Sequence, residues 1–352
     1  MKGKIIMSYH TFELRYQLTY QEKETLINIL KEKGKVYIDE YDFTTPTICE
    51  ALSNKGINIQ FNKYTKNDFT FNMMYIKINP RRVMEHNNYI GIFDSRHTAK
   101  MLQKVDNHLQ SISYLMPSVH SCKLNRIDFC SNIKMESQDA VMKYLKLLQR
   151  GYYPPKYCPA YYYDLTAKRK KLYDDSITIS TKRIAITYYN KYSQLNENPH
   201  CKNVDDAKNI LRAEIQCKKN KIKHLEKKFN YSGVQEFLEH SDEIGEYIFK
   251  QYANLFYGNG DFYKLNEIIK KINNSNFKNK SKIMMKKLVS LSAKHSSLSK
   301  AIFKLHLRKK ERKSIMKKFD KINVCPIVIP RRYNYDTFKN PLTLAMNWYG
   351  CI

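Results

Sequence analysis

The sequence predicts an α+β protein with a central, largely antiparallel sheet flanked by helices, followed by a basic helical C-terminal region. Strand-like and helix-like segments alternate at irregular spacing over residues 1–261, which favours α+β over a doubly wound parallel sheet. Residues 262–352 have mainly helical patterns, and they carry 22 Lys and Arg against four Asp and Glu. Because this charge shift follows the turn signal Gly258-Asn259-Gly260-Asp261, we predict two regions, 1–261 and 262–352.

Each element follows from a local pattern of apolar and turn residues. The predicted strands cover residues 8–20, 36–43, 69–78, 124–133, one or two stretches within 176–192, and 210–217. The predicted helices cover residues 21–33, ending at Gly34, then 95–116, 140–149, 265–272, 281–292 and 297–319. An extended tail with Pro326 and Pro330 follows the last helix, and the Tyr- and Pro-rich segment 151–171 indicates a long loop or hairpin.

Composition narrows the class of partner. The chain has 352 residues and a formal net charge of +29, which suits a polyanion such as nucleic acid or an anionic membrane surface. The membrane is disfavoured, because the sequence has no run of about 18 apolar residues and no lipidation motif. No signal-peptide pattern is present, so we expect an intracellular protein. The eight cysteines include no CxxC pair and indicate scattered reduced thiols.

Several enzyme classes lack their motifs in this sequence. There is no GxxxxGK[ST], which argues against a P-loop ATPase or helicase. There is no HExxH, and no His-hydrophobe-His triplet of the kind that binds metal in many nicking enzymes. The nearest approach to that triplet, His120-Ser121-Cys122, has a single histidine, which is more often structural.

Three predicted strands carry polar side chains at their centres. Side chains alternate along a strand, so one face of residues 124–130, 183–191 and 210–216 is apolar and the other polar. The polar faces comprise Arg126 and Asp128; Thr187, Tyr189 and Lys191; and Arg212, Glu214 and Gln216. Asp and Glu are disfavoured at strand centres, so two carboxylates there indicate either a site for Mg²⁺ or Mn²⁺ or ion pairs such as Asp128 with Arg212.

The segments Arg126-Ile127-Asp128-Phe129, Tyr188-Tyr189-Asn190-Lys191 and Leu211-Arg212-Ala213-Glu214-Ile215-Gln216 resemble, in order and spacing, the rolling-circle replication initiators. The likeness is strongest to the replication endonucleases of filamentous phages, with related plasmid initiators beside them. It extends over about residues 70–230 and includes Ile76-Lys77-Ile78-Asn79-Pro80.

The resemblance implies a replication initiation protein that nicks and rejoins one DNA strand at an origin. Tyr189 would attack a phosphodiester, form a 5′-phosphotyrosine link and free a 3′-OH that primes synthesis. Asp128 and Glu214 fall on the positions expected to hold a divalent cation, Mg²⁺ or Mn²⁺. Related sequences often have a Glu soon after Tyr-x-Lys; only Gln194 and Glu197 are near here, so a third ligand is not assigned.

The remaining residues take supporting roles under this hypothesis. Lys191 would lower the pKa of the phenol or hold the phosphate, and Arg126 and Arg212 would contact phosphates or hold the carboxylates. In the basic region we predict DNA contacts from Arg308, Lys309, Lys310, Arg312 and Lys313. Tyrosines of segment 151–171 would either stack on unpaired bases or pack in the fold.

The expected partner is origin DNA, both double- and single-stranded, in the cytoplasm of a bacterial host, with a host helicase as a further candidate. Two alternatives stay open: a relaxase of a conjugative element with the same chemistry, and a sequence-specific DNA-binding protein without catalysis. The origin sequence, the oligomeric state and any role for a second tyrosine are not determined by the sequence.

Overall fold

A computed structural model describes residues 8–36, 44–66, 69–86, 90–164, 166, 169–197, 201, 203–253 and 255–346. The strands are β1 Ser8–Leu18, β2 Lys35–Val36, β3 Thr44–Ile48, β4 Ile57–Lys66, β5 Phe69–Ile78, β6 Lys123–Lys134, β7 Cys158–Pro159, β8 Tyr162–Asp164, β9 Arg169–Lys171, β10 Ser176–Ser180, β11 Ile184–Asn190, β12 Ile210–Lys218, β13 Asp261–Lys264, β14 Val324–Ile329 and β15 Thr337–Phe338. The helices are α1 Tyr20–Lys33, α2 Glu50–Ser53, α3 Pro80–Val83, α4 Thr98–Gln110, α5 Gln138–Leu148, α6 Lys191–Asn196, α7 Lys219–Phe229, α8 Val234–Glu239, α9 Ser241–Ala253, α10 Leu265–Asn273, α11 Asn279–His295, α12 Leu298–Lys304, α13 Lys309–Lys321 and α14 Pro341–Met346.

A ten-stranded sheet is the framework of the molecule. Its strand order is β2-β3-β4-β5-β1-β6-β12-β11-β10-β7, and every neighbouring pair is antiparallel. A second sheet, β14-β13-β15, joins the C-terminal helices, and β8 pairs with β9 as a hairpin. This architecture confirms the predicted α+β class.

The alternation predicted for the central strands is present. Along β11, buried and half-buried residues alternate without a break, so Ile184, Ile186 and Tyr188 point into the core. Helix α5 packs against that apolar side at β10, β11 and β12. The opposite side of β11, with Thr187 and Tyr189, is therefore left facing an open cleft.

The apolar core continues from the sheet into the C-terminal region. The ring of Tyr144 on α5 packs edge-on against Phe262 and Phe338, and its hydroxyl donates to the Lys339 carbonyl at 2.8 Å. The division at residues 261 and 262 stays a prediction, but that point lies within β13. There Gly260 passes so close to β14 that a Cβ would lie 2.2 Å from the Val324 backbone.

Two predicted helices differ from the structure. Residues 297–319 form two helices, α12 and α13, because His306 has a φ of 49° and breaks the helical path. Helix α13 then begins at Lys309. The Glu311 carboxylate accepts the Arg308 backbone N–H at 2.9 Å, so it provides a hydrogen-bond acceptor at the N-terminus of this helix. Residues 95–116 form a 3₁₀ turn, Ser95–His97, followed by α4, which ends at Gln110.

Other elements lacked a sequence prediction or lie partly outside the described residues. Strand β4 and helices α7, α8 and α9 were not predicted. The predicted extended tail contains the fully buried strand β14 and, further on, strand β15 and helix α14. The strand predicted at 36–43 is described only at Val36, where β2 ends; residues 37–43 lie outside the described residues. No helix in the described part of the chain is both long and apolar enough to cross a bilayer.

Candidate active site

The polar side of the central strands forms the floor of an open cleft of about 1230 Å³. Strands β1, β11 and β12 supply the floor, the start of α6 forms one wall, and residues 79–86 around α3 form another. The lining includes His10, Arg81, Arg82, Thr187, Tyr189, Lys191, Gln194, Arg212 and Glu214. The cleft therefore brings together five of the side chains predicted from the strand pattern, namely Thr187, Tyr189, Lys191, Arg212 and Glu214.

Two adjacent tyrosines have opposite environments in this sheet. Tyr188 is 1% exposed, and its ring meets that of Tyr257 edge-on at 6.2 Å between centroids. Its hydroxyl has no hydrogen-bond partner among the described residues. Tyr189 lines the cleft instead, and its hydroxyl donates to Glu214 Oε1 at 2.6 Å. Strand parity thus places Tyr189, and not Tyr188, on the open cleft.

Glu214 lies at the centre of a group of cations. Arg212 Nε lies 3.2 Å from Glu214 Oε1, and His10 Nε2 lies 3.5 Å from the same oxygen. Burial raises the pKa of Glu214, but His10 and Arg212 outweigh burial and hold the pKa below its ordinary value. The carboxylate is therefore ionised at neutral pH and accepts the phenol hydrogen.

The phenol itself holds its proton firmly in this state. Burial raises the pKa of Tyr189 well above its ordinary value, Arg212 opposes the shift, and the Glu214 carboxylate adds to it. A free phenolate is consequently scarce at neutral pH. The hydroxyl can act as a nucleophile only if a base takes its proton during the attack.

Lys191 reaches the site from a helix start and not, as expected, from the strand. The Asn190 side chain accepts the backbone N–H groups of Tyr192 and Ser193, so α6 begins directly after β11. Lys191 Nζ then lies 5.9 Å from the centroid of the Tyr189 ring and donates to Gln194 Oε1 at 2.8 Å. Burial, aided by Arg212, lowers the pKa of Lys191 to about 8.

Arg212 is buried beneath the cleft, with 2% of its surface exposed. It donates to the Ile90 carbonyl at 3.0 Å and to Asn132 Oδ1 at 3.3 Å, and Asn132 donates to the same carbonyl at 2.8 Å. These contacts fix the guanidinium beside Glu214. Of the two roles left open for Arg212, its environment fits that of a partner that positions a carboxylate.

Asp128 lies apart from Glu214 along the sheet. In the register Asp128 faces Gln216, whereas Glu214 faces Cys130. Arg126 donates hydrogen bonds to both carboxylate oxygens of Asp128, with Nη2 at 2.6 Å from one and Nε at 3.0 Å from the other. The ion pair left open by the sequence thus forms with Arg126 and not with Arg212.

The chemistry of these donors bears on the predicted divalent cation. No group of three His, Cys, Asp or Glu suited to a metal occurs among the described residues, and the Asp128 carboxylate is occupied by Arg126. Asp128 and Glu214 in this arrangement do not form a fitting ligand set. The divalent cation therefore stays a prediction.

His10 is a site residue that sequence reasoning missed. The pairing of β1 with β6 shifts register between Tyr9 and Thr11, and this irregularity turns the intervening His10 towards the cleft. Its Nδ1 lies 3.3 Å from the Asp128 carbonyl oxygen. Burial lowers the pKa of His10, but Glu214 and Cys130 together outweigh burial and leave that pKa raised. A lone histidine near a strand start offers no pattern that identifies it.

The predicted DNA contacts of the basic region lie elsewhere. Arg308, Lys309, Lys310 and Lys313 are exposed at and after the start of α13, whereas the Arg312 guanidinium packs over the Tyr152 ring at 4.5 Å. None of these five residues is among the described residues that line the cleft. The structure thus separates one buried cluster of charges from one exposed cluster.

Comparison with known proteins gives one strong match. Residues 9–239 match the Phage CRI family model, which describes the N-terminal part of a phage replication-associated protein. This match confirms the resemblance drawn from the three strand segments. No curated protein matches the chain.

Two solved structures show weaker likeness. A rolling-circle replication initiator protein from Geobacillus stearothermophilus is 10% identical, with 63% of this chain and 78% of that chain covered and a TM-score of 0.31. DynU16, from the dynemicin biosynthetic locus, is 6% identical, with 67% and 99% covered and a TM-score of 0.17. At TM-scores this low, neither similarity bears on the fold or the function of this chain.

Proposed function

Because the chain belongs to the Phage CRI family of replication-associated proteins, we propose that it initiates rolling-circle replication of a phage or plasmid by nicking origin DNA through Tyr189. The observation that carries the proposal is the 2.6 Å hydrogen bond from the Tyr189 hydroxyl to Glu214 inside an open, cation-lined cleft. A nucleophile paired with a base, in reach of a polyanionic strand, is the arrangement that phosphodiester transfer needs.

The reaction begins with a proton transfer. Glu214 takes the proton of the Tyr189 hydroxyl as the phenol oxygen attacks the phosphorus atom of the scissile phosphodiester. The bond between phosphorus and the 3′ oxygen breaks, so the 5′ phosphate remains on Tyr189. Since this ester retains the energy of the cleaved bond, the reverse reaction rejoins the strand without ATP.

Lys191 completes the proton balance. The departing 3′ oxygen needs a proton, and an ammonium whose pKa is lowered to about 8 by burial is well matched to donate it near neutral pH. Lys191 Nζ lies over the ring of Tyr189 within the same cleft. It also adds positive charge for the phosphoryl oxygens in the transition state.

Further cations in the cleft suit the strand backbone. Arg82 and Lys55 line the same cleft as Tyr189. Arg81 also lines the cleft, and its guanidinium donates to the Ile92 carbonyl at 3.3 Å. Phosphate contacts of this kind fix the position of a strand without reading its sequence. The exposed cations of α13 supply the same class of contact for duplex DNA.

The proposal is tested with supercoiled DNA that carries the replication region of the element encoding the protein. The wild type is expected to yield relaxed circles and a covalent protein–DNA adduct. The assay is run in separate arms with Mg²⁺, with Mn²⁺, without added metal and with EDTA. Tyr189→Phe should form no adduct, a loss of about 10³-fold or more, because the variant lacks the nucleophilic oxygen.

Tyr188→Phe is the matched control, because its buried hydroxyl bonds to no described residue and its loss should leave nicking unchanged. A Tyr189→Phe protein that still forms a 5′-linked adduct would refute the assignment. Binding without any nicking by the wild type would instead favour the non-catalytic DNA-binding protein. Full loss of activity in EDTA would support the predicted cation.

A further inference from the structure

Beside the active cleft lie two adjoining pockets of about 580 and 570 Å³, which share Arg150, Ser296 and Arg332. We call them together the arginine pocket. Residues 172–176 separate it from the cleft, since Leu172 lines the arginine pocket while Tyr173 and Ser176 line the cleft. Because α5, which supplies Lys143 and Lys146, packs on the side of the sheet opposite the cleft, a strand that leaves Tyr189 would cross residues 172–176 to reach the arginine pocket.

The arginine pocket is lined by cations and by no carboxylate of a described residue. The cations are Lys143, Lys146, Arg150, Lys264, Arg331 and Arg332. The three lysines each pair with a carboxylate outside the pocket, namely Asp139, Asp174 and Asp336. The three arginines have no carboxylate of a described residue within 4.0 Å.

Arg150 is the least solvated of these arginines. It is half-buried, and burial lowers its pKa, although a guanidinium remains charged at any physiological pH. Its backbone is fixed, because the Arg150 N–H donates to the Leu147 carbonyl at 2.9 Å and its carbonyl accepts the Leu298 N–H at 2.8 Å. A partly desolvated cation that has no carboxylate of a described residue beside it carries a free-energy cost that an anionic ligand would offset.

Arg332 lines both pockets together with Arg150. Its guanidinium lies 6.0 Å from the centroid of the Tyr333 ring, and Tyr333 is buried in the core. Arg332 is exposed and Arg150 half-buried. This pair suits the fork-like recognition of a phosphate group, which guanidinium groups bind through paired hydrogen bonds.

We propose that the arginine pocket binds a backbone phosphate of the single DNA strand that passes from the active cleft over residues 172–176. This inference rests on the proposed function, because the nick generates such a strand. The chemistry recognised is the phosphate group; a free nucleotide offers the same group, so the test includes both sources.

The test measures binding of a fluorescent oligothymidine of about 20 nucleotides over a range of salt concentrations. The variants are Arg332→Gln, whose side chain is exposed, and the double variant Arg150→Gln/Arg332→Gln. Each phosphate that is no longer bound should reduce the salt slope of log affinity by about 0.7, and the double variant should bind about tenfold more weakly at low salt. Arg96→Gln is the control, because Arg96 is exposed and already paired with Asp94.

Competition by ATP and by inorganic phosphate distinguishes the two sources. If the pocket binds a DNA strand, ATP and inorganic phosphate should weaken oligothymidine binding no more than other salts do at the same ionic strength. Tight ATP binding that the double variant loses, with oligothymidine binding unchanged, would overturn it. Unchanged affinity and salt slope in Arg332→Gln, with a wild-type melting temperature, would overturn it as well.

The adduct assay keeps this result separate from the proposed function. Wild-type protein that forms the Tyr189 adduct, together with arginine variants that bind DNA as wild type does, refutes the pocket alone. Wild-type protein without any adduct refutes the nicking function, whatever the arginine variants show.

Discussion

The active cleft and the basic C-terminal region use charge in opposite ways. In the cleft, Arg212 is 2% exposed and Glu214 is hydrogen-bonded to Tyr189, so each charge has a fixed partner and shifts its neighbours' pKa values. At the start of α13, the Arg308 side chain is 85% exposed. Coulomb interactions are strong where water is excluded and are screened where it is not. Buried charges can therefore direct chemistry, while exposed charges govern affinity.

Glu214→Gln is the variant for which we expect the largest loss of nicking activity. Without the base, the Tyr189 proton has no acceptor, and we expect nicking to fall by about 10²–10³-fold while DNA affinity changes little. Single-turnover adduct formation measures the loss. Glu197→Gln removes the same charge from an exposed position on the cleft lining and should retain near-wild-type rates. Equal rates for the two variants would show that Glu214 is only an ion-pair partner.

The pH profile tests Lys191 as the proton donor. Because its pKa is lowered to about 8, mainly by burial, the ammonium loses its proton as the pH rises through 8, and nicking should decline above that pH. Lys191→Gln should lose about 10²-fold at neutral pH and lack this alkaline decline. Lys191→Arg should move the decline to higher pH. A wild-type alkaline decline that persists in Lys191→Gln would assign it to another group.

Asp128→Asn probes the ion pair beside the cleft. Removal of the carboxylate leaves Arg126 partly buried and unpaired, and we expect a loss of about 2 kcal/mol in the free energy of unfolding, measured with urea. Asp94→Asn is the control, since its partner Arg96 is largely exposed, and it should cost at most about 0.5 kcal/mol. Normal stability with lost activation by Mg²⁺ would instead support Asp128 as a cation ligand.

The smallest effect is expected at the exposed cluster. Replacing Lys309, Lys310 and Lys313 together by Gln should weaken duplex binding about tenfold or less, and the salt slope should fall by about 0.9 for each phosphate that is no longer bound. Cleavage of a single-stranded substrate should not change. The same change at Lys23, Lys31 and Lys33 of α1 is the matched control. An identical salt slope in both triple variants would show that α13 does not contact the duplex.

Point variants are preferable to a truncation at residue 261, because the two predicted regions share a core. Phe262 and Phe338 pack on Tyr144, so removal of residues 262–352 would expose the apolar side of α5. The charge shift in the sequence located a basic segment correctly. It did not reveal that the same segment contributes β13, β14 and β15, because exposed charges do not report the apolar residues beneath them.

The sequence alone determined the α+β class, the polar face of the central strands and the place of Tyr189, unlike Tyr188, on that face. The class follows from the irregular order of helical and strand segments, and the other two follow from alternation along a single strand; all are local properties of the chain. Tertiary structure decided which charges meet. The register pairs Glu214 with Cys130 and sets Asp128 apart, the irregular pairing of β1 brings in His10, and the start of α6 carries Lys191 over the ring of Tyr189. Register and chain crossings depend on contacts between residues far apart in sequence, which no local pattern encodes.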